Sequence, residues 1–381
     1  MNDMATWHDN TSRRSPTSSD EDVLICSAPG RAGIIGNPTD MYGGAVLSCS
    51  VPMRARVMVR PAESLTLETD GRQVTITSWE DLRPQGDRFD LPRAVLDYLR
   101  LPPLKAHIRY ESEIPMRSGM AGSTALLVAL LRAILAWQGD HPGLYPLAEM
   151  ARYIELNHLG VVCGYQDAYM ATFGGLNYMD FRGKQFYRQA EAELFATIEP
   201  LDGHVTSLPF LLAYTGVQHA SGEVHKPIRE RWLEGEPQVV RAYERITEIA
   251  RMGKKALLLE DWETLGALMN ENHAIQRDLG GSGPENERLI EAALAAGAPG
   301  AKLAGAGHGG TIIALWPYEE TEPLEEALRE AGATAFYRPV PAPGVTLEKL
   351  PEGKAERVSV SGFENGLSGW KTPTNNPVTR A

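Results

Sequence analysis

At 381 residues the chain exceeds one minimal core, and with about 150 residues per domain as a guide it reads as two compact units. Hydrophobic residues at 43% and charged residues at 23% are those of a globular chain, which excludes a disordered one. The 37 Lys plus Arg against 49 Asp plus Glu give a net charge of −12, which argues against a nucleic-acid surface but leaves room for a locally positive pocket that takes a small anion.

The first 20 residues are polar, without the apolar core of a secretion signal, and no stretch reaches the roughly 18 apolar residues of a membrane span. Cys26, Cys49 and Cys163 lie far apart without metal-ligand spacing, so a reducing, cytoplasmic setting is expected, with neither a zinc site nor a disulfide framework. Both ends, 1–20 and 363–381, are rich in Ser, Thr, Asn and Pro and are expected to be mobile tails.

From residue 21 the chain opens with strand patterns. "DVLICSAPGRAGIIG", "GGAVLSCSV" and "RARVMVR" read as strands, and "SLTLET" with "QVTITSW" as a hairpin turning at Asp70 and Gly71. Residues 122–137 are apolar nearly all round, the pattern of a helix buried inside a domain. A second helix is expected over about 145–159, followed by a strand in "GGLNYMDF". Periodicity fades over 195–208, where the first unit (21–205) hands over to the second (206–362). The second begins with the strand "FLLAYTG", continues with helices near 236–257, 261–276 and 284–296, and ends its clear pattern with the strands "AKLA" and "TIIALW".

Glycine-rich segments carry the chemistry. "PMRSGMAGSTA" feeds into the apolar helix, and a helix N-terminus offers unpaired N–H groups and about half a positive charge, a seat for phosphate. There Gly119 and Gly122 let backbone amides approach an anion, and Ser123 or Thr124 offers a hydroxyl to Mg²⁺; the alternative is a tight turn capped by Ser123. No Walker-type P-loop occurs. A literal G-x-G-x-x-G spans Gly305 to Gly310, but strand formers follow it directly, so a strand–turn–strand is expected in place of a dinucleotide-binding turn. "APGRAGIIGNPTDMYGG" sets Asp40 among turn formers, and Asp167 follows Gly164, Tyr165 and Gln166, where it is either functional or a helix cap.

Taken in order, these segments resemble the motifs of the GHMP kinase superfamily, within which "GNPTD", "GMAGST", "GYQDAYMATFGGLNYMDF" and "ASGEVHKPIRERWLEG" are most similar to the glucuronokinases. The resemblance implies an α+β, two-domain GHMP kinase fold: an N-terminal α/β domain with the phosphate loop and a C-terminal ferredoxin-like domain, with ATP and substrate in the cleft between them. It implies an ATP- and Mg²⁺-dependent kinase that phosphorylates a small-molecule sugar, glucuronate at its anomeric hydroxyl, without nucleic-acid or membrane partners.

Carried over residue by residue, the resemblance makes Asp167 the catalytic carboxylate and Arg31 its basic neighbour near the phosphates. Pro115, Ser118, Gly119, Met120, Ala121, Gly122, Ser123 and Thr124 become the phosphate loop, with Ser123 and Glu155 as metal ligands. Asn37, Asp40, Gly164, Gln166, Gly305 and Gly307 join Asp167 around the acceptor, and Arg117 is added from its position in the segment alone. Galactokinases carry Glu-His-Thr-Asp where this chain has Asn37 to Asp40, which disfavours galactose and leaves Asp40 to take sugar hydroxyls. Arg117 and Arg229 are candidates for a substrate carboxylate, and His308, where relatives more often have glycine, reads as an exposed turn residue.

Overall fold

A computed structural model describes residues 22–101, 104–184, 195–217, 221–305, 307–308 and 310–351. The two expected tails and Gly309 lie outside the described residues.

The first sheet is built on a long antiparallel hairpin of β1 (Asp22–Ile35) and β2 (Ala45–Pro61). The two strands read from "GGAVLSCSV" and "RARVMVR" are thus one continuous strand. Pro52 does not break it, because it is exposed and sits where β2 changes partner: residues 45–49 pair with β6 (Leu176–Asp180) and residues 55–61 with β5 (Ala106–Ser112). A proline is tolerated where no ladder N–H is needed. The hairpin of β3 (Leu65–Thr69) and β4 (Arg72–Ile76) turns at Asp70 and Gly71, both with positive φ, as a two-residue primed turn requires.

Behind the sheet lie α1 (Asp90–Leu99), α2 (Gly122–Trp137), α3 (Leu144–Asn157) and α4 (Gln166–Phe173). In α2 every residue except Ser123, Arg132 and Ala136 is buried, the consequence of its uniformly apolar sequence. The strand β7 (Thr197–Pro200) pairs with β6 inside the stretch read as losing periodicity.

The second sheet takes β8 (Phe210–Tyr214), β9 (Gly300–Leu303), β10 (Thr311–Leu315) and β11 (Ala335–Tyr337), in the antiparallel order β11-β8-β10-β9. Between β8 and β9 run α5 (Ser221–Leu233), α6 (Pro237–Leu258), α7 (Trp262–Asp278) and α8 (Pro284–Ala295), and α9 (Glu322–Glu330) links β10 to β11. Strand order and connections are those of a ferredoxin-like unit elaborated by extra helices. Helix starts follow local chemistry: α6 and α8 open on proline, and the Asp261 carboxylate accepts the Thr264 N–H at 3.0 Å to cap α7.

The last strand, β12 (Thr346–Pro351), leaves this unit and pairs antiparallel with β1 at the edge of the first sheet. Residues 346–351, placed in the second unit by chain position, therefore extend the first sheet, which reads β12-β1-β2-β5-β3-β4 with β6 and β7 branching from β2. One apolar core runs through both sheets, joining Leu127 and Leu130 of α2 to Ile249 of α6, Met269 of α7 and Ile313 of β10. Among the described residues no helix is long and apolar enough to cross a membrane.

Candidate active site

The three glycine-rich segments converge where the two units meet. Between β5 and α2, the loop from Pro115 to Thr124 passes through left-handed backbone at Arg117, Gly119 and Ala121. Ala121 occupies the helix N-cap and no side chain caps α2. Ser123 is half-buried inside the first turn and does not cap it, so the amides that open the helix keep their capacity for an anion. Ser118 is buried, and its hydroxyl has no partner among the described residues.

Arg31 ties the segments together. Its backbone N–H donates to the Met120 carbonyl at 3.0 Å, and its guanidinium donates to the carbonyls of Gly119 at 2.5 Å and Ala304 at 3.3 Å. The same guanidinium reaches Asp167, with Nε and Nη2 at 2.8 and 2.6 Å from Oδ1. Arg31 is 6% exposed while the Asp167 side chain is 30% exposed, so the pair presents its carboxylate to solvent and keeps its cation within.

Asp167 stands in the first turn of α4 and is not its cap. The capping carboxylate comes from 125 residues away: Asp40 Oδ2 accepts the N–H groups of Tyr165 at 2.7 Å and Gln166 at 2.9 Å. Asp40 is buried, and loss of solvent pushes its carboxyl up from the usual range, with nearby Asp167 adding to the effect. One oxygen of the acid expected to take sugar hydroxyls is therefore committed to positioning α4. Gly164 allows the approach, since a Cβ there would lie 1.9 Å from Asp40 Oδ2. Gln166 is buried as well, and its amide nitrogen has no partner among the described residues.

Glu155 projects from α3 toward α2, and Thr124 Oγ1 lies 3.0 Å from each of its carboxylate oxygens. Burial, and next the charge of Asp167, raise the Glu155 carboxyl to about 7 despite opposing contributions from Thr124 and Arg152. Thr124, an alternative ligand or cap by sequence, is the group that positions this acid.

The third segment forms the expected strand–turn–strand between β9 and β10. It packs against the phosphate loop: Thr311 Oγ1 donates to the Ser118 carbonyl at 2.8 Å, and a Cβ on Gly305 would lie 2.6 Å from the Gly119 carbonyl. Gly307 has φ +93° and packs against the Gly281 carbonyl. His308 is half-buried, in contrast to the exposed residue expected, and its Nε2 bonds the Gly280 carbonyl at 2.9 Å. At the end of β1, Asn37 Nδ2 contacts the Gly305 carbonyl at 3.5 Å and Oδ1 accepts from Lys302 Nζ at 2.7 Å. Burial, and then the neighbouring Arg31, push the Lys302 ammonium down to about 7.

Arg117 is exposed on the loop, and Arg229 is half-buried on α5. Two residues were missed, Lys302 and Thr311, although both flank the glycine turn whose sequence was noted.

Among the described residues no three His, Cys, Asp or Glu side chains cluster as a self-sufficient metal cage. Mg²⁺ needs none, since it keeps waters and phosphate oxygens and takes one or two protein ligands. The open carboxylate of Asp167, the Ser123 hydroxyl and Glu155 beside Thr124 fit that demand, and the uncapped helix start with the orphaned Ser118 hydroxyl fits a polyphosphate.

Residues 90–175 match the family described as GHMP kinases N terminal domain, residues 254–334 match GHMP kinases C terminal, and residues 17–61 match the galactokinase galactose-binding signature. The chain is 28% identical over 336 residues to glucuronokinase 1 of Arabidopsis thaliana, covering 80% of this chain and 88% of that protein. It is also 28% identical over 325 residues to the D-glycero-alpha-D-manno-heptose 7-phosphate kinase of Campylobacter jejuni, covering 81% and 94%. In structure it resembles Lactococcus lactis galactokinase complexed with galactose, with TM-score 0.71, 18% identity and coverage of 85% and 95%.

Proposed function

The chain belongs to the GHMP kinase superfamily, and on that premise we propose that it transfers the terminal phosphoryl group of ATP to the anomeric hydroxyl of a uronic acid, converting glucuronate to glucuronate 1-phosphate in the reducing cytoplasm. The observation that carries the reading is the Arg31–Asp167 pair, held against the Gly119 carbonyl of the phosphate loop. Both contacts from Arg31 fall on Oδ1 of Asp167, leaving Oδ2 for the acceptor hydroxyl, which it orients and deprotonates. Arg31, a permanent cation on buried carbonyls, stabilises charge on the transferring oxygens. The amides opening α2 and the Ser118 hydroxyl receive the ATP phosphates. Ser123 and Glu155 would hold Mg²⁺, whose chemistry when bound would be to neutralise phosphate charge. Asn37, Asp40, Gly164, Gln166, Gly305 and Gly307 surround the acceptor, and Arg117 reaches it from the loop.

Similarity to a heptose phosphate kinase supports a second reading, the same chemistry on another sugar such as a heptose phosphate or a pentose. A sugar-binding relative without turnover is disfavoured by the intact Arg31–Asp167 pair.

Phosphorus NMR of the purified chain with Mg·ATP and glucuronate, galactose, arabinose or a heptose phosphate tests the assignment. An anomeric phosphate on glucuronate alone, abolished in Asp167→Asn, is expected. Transfer to another sugar overturns the acceptor but keeps the chemistry, and binding of sugar and ATP without ADP formation overturns the kinase reading.

A further inference from the structure

Lys302 is 1% exposed, and among the described residues its amine contacts only neutral groups: it donates to Asn37 Oδ1 at 2.7 Å and to the Leu303 carbonyl at 2.5 Å. A lysine buried without a carboxylate is costly, and among the described residues its one side-chain partner is the amide of Asn37. Lysine brings N–H donors and, as an ammonium, no acceptor, so the amide must turn its oxygen toward it. The other half of that amide, an NH₂ that only donates, is then fixed on the side of the glycine turn. There its single partner among the described residues is the Gly305 carbonyl at 3.5 Å, too long to satisfy it. The backbone beneath is held as well: Asn272 of α7 accepts the Gly36 N–H at 2.9 Å and donates to the Asn37 carbonyl at 3.4 Å. Residue 37 therefore has little freedom, and its open hydrogen-bonding capacity is of one kind.

We infer that Lys302 is a positioning residue for acceptor specificity: by pinning Oδ1 of Asn37 it aims the amide NH₂ at the acceptor sugar, where it serves a group that only accepts hydrogen bonds, the carboxylate of a uronic acid. The inference rests on the acceptor reading proposed above. A hydroxyl would be served equally by an acidic side chain here, whereas a carboxylate would be repelled by one. Lys302 acts through Asn37 and has no separate contact with the sugar.

The experiment compares steady-state constants for glucuronate and Mg·ATP, with glucose, which differs from glucuronate only at the carboxylate carbon, as the neutral comparator. Asn37→Asp keeps the shape and the bond to Lys302 but sets a carboxylate where the NH₂ was. It is expected to raise KM for glucuronate at least about tenfold, to leave KM for Mg·ATP within about twofold, and to affect glucose less. Lys302→Met is expected to raise the same glucuronate KM, and to have no further effect on it in an Asn37→Ala background, the signature of a residue that works through its partner. An unchanged glucuronate KM in Asn37→Asp, equal effects on both sugars, or a Lys302→Met effect that persists without Asn37 overturns the inference. Should Lys302→Met fail to fold, the Asn37→Asp comparison decides alone. A wild-type chain that leaves glucuronate untouched while phosphorylating a neutral sugar overturns the acceptor reading and this inference together. That outcome is visible before any variant is made, and so is distinct from failure of the inference alone.

Discussion

At Gly119 in the phosphate loop, an added methyl would find its nearest neighbours 3.7 and 3.8 Å away, in Gly305 and Thr311; at Gly305, across the same seam, it would meet the Gly119 carbonyl at 2.6 Å. Gly119 has φ +77°, whereas Gly305 has an ordinary φ. The first glycine is there for its backbone angle and the second for the space it vacates. The difference teaches that the two turns, alike in composition, do separate work. One shapes an anion seat, and the other lets the second unit come into backbone contact with that seat.

Substitutions sharpen that contrast, beginning with the largest effect. Gly305→Ala is expected to push the β9–β10 turn off the phosphate loop and to lower kcat/KM about a hundredfold while the chain stays folded, because a displacement near 1 Å at a reacting centre costs about that much. Gly164→Ala, whose methyl would lie 1.9 Å from Asp40 Oδ2, is expected to give a loss of the same order by moving α4 and Asp167, with circular dichroism unchanged. Thr311→Val leaves the Ser118 carbonyl unpaired and is expected to cost about 1–3 kcal/mol in a denaturant melt and to raise KM for Mg·ATP. Gly119→Ala meets no obstacle and pays only for its left-handed angle, about 1–2 kcal/mol, so kcat should fall far less than in Gly305→Ala. Equal losses at Gly119 and Gly305 would erase the distinction.

Glu155 adds a pH dependence. Folded, it holds its proton up to about 7; unfolded, it releases it near 4.5, so folding takes up a proton between those values. Its contribution to stability is full below 4.5 and is lost as pH rises to about 7. Melting temperatures of metal-free wild type and Glu155→Gln across that window should therefore converge on different slopes, the variant being flatter. Parallel slopes would remove Glu155 as the source.

The sequence carried the helices α2, α3, α6, α7 and α8 through their periodicity, the β3–β4 hairpin through Asp70-Gly71, and the rejection of a dinucleotide turn at Gly305 through the strand that follows it. The strand β7 was invisible, and α4 was legible only through Asp167 as a candidate helix cap, because such short elements borrow their stability. The cap of α4 comes from Asp40, and β7 exists as a partner for β6. Asp167 and Arg31 were legible as motif residues, and the bond between them brings together positions 136 apart. Lys302 escaped because a lysine beside a glycine turn reads as a surface charge, and only burial against Asn37 gives it meaning. Asp40 was legible as important, yet its bonds to the amides of Tyr165 and Gln166 depend on a glycine far along the chain.

The pairing of β12 with β1 sets Asp22 opposite Pro351, so the backbone forms a nearly closed circuit with the second unit spliced into it. Neither unit then has a pair of loose ends of its own: melting the second pulls on an edge strand of the first, and the shared core joins them from within. A chain wired this way should unfold in one calorimetric transition, and one reopened at the exposed Gly203, with residues 22 and 351 joined by a short linker, should keep both its circuit and its active-site seam.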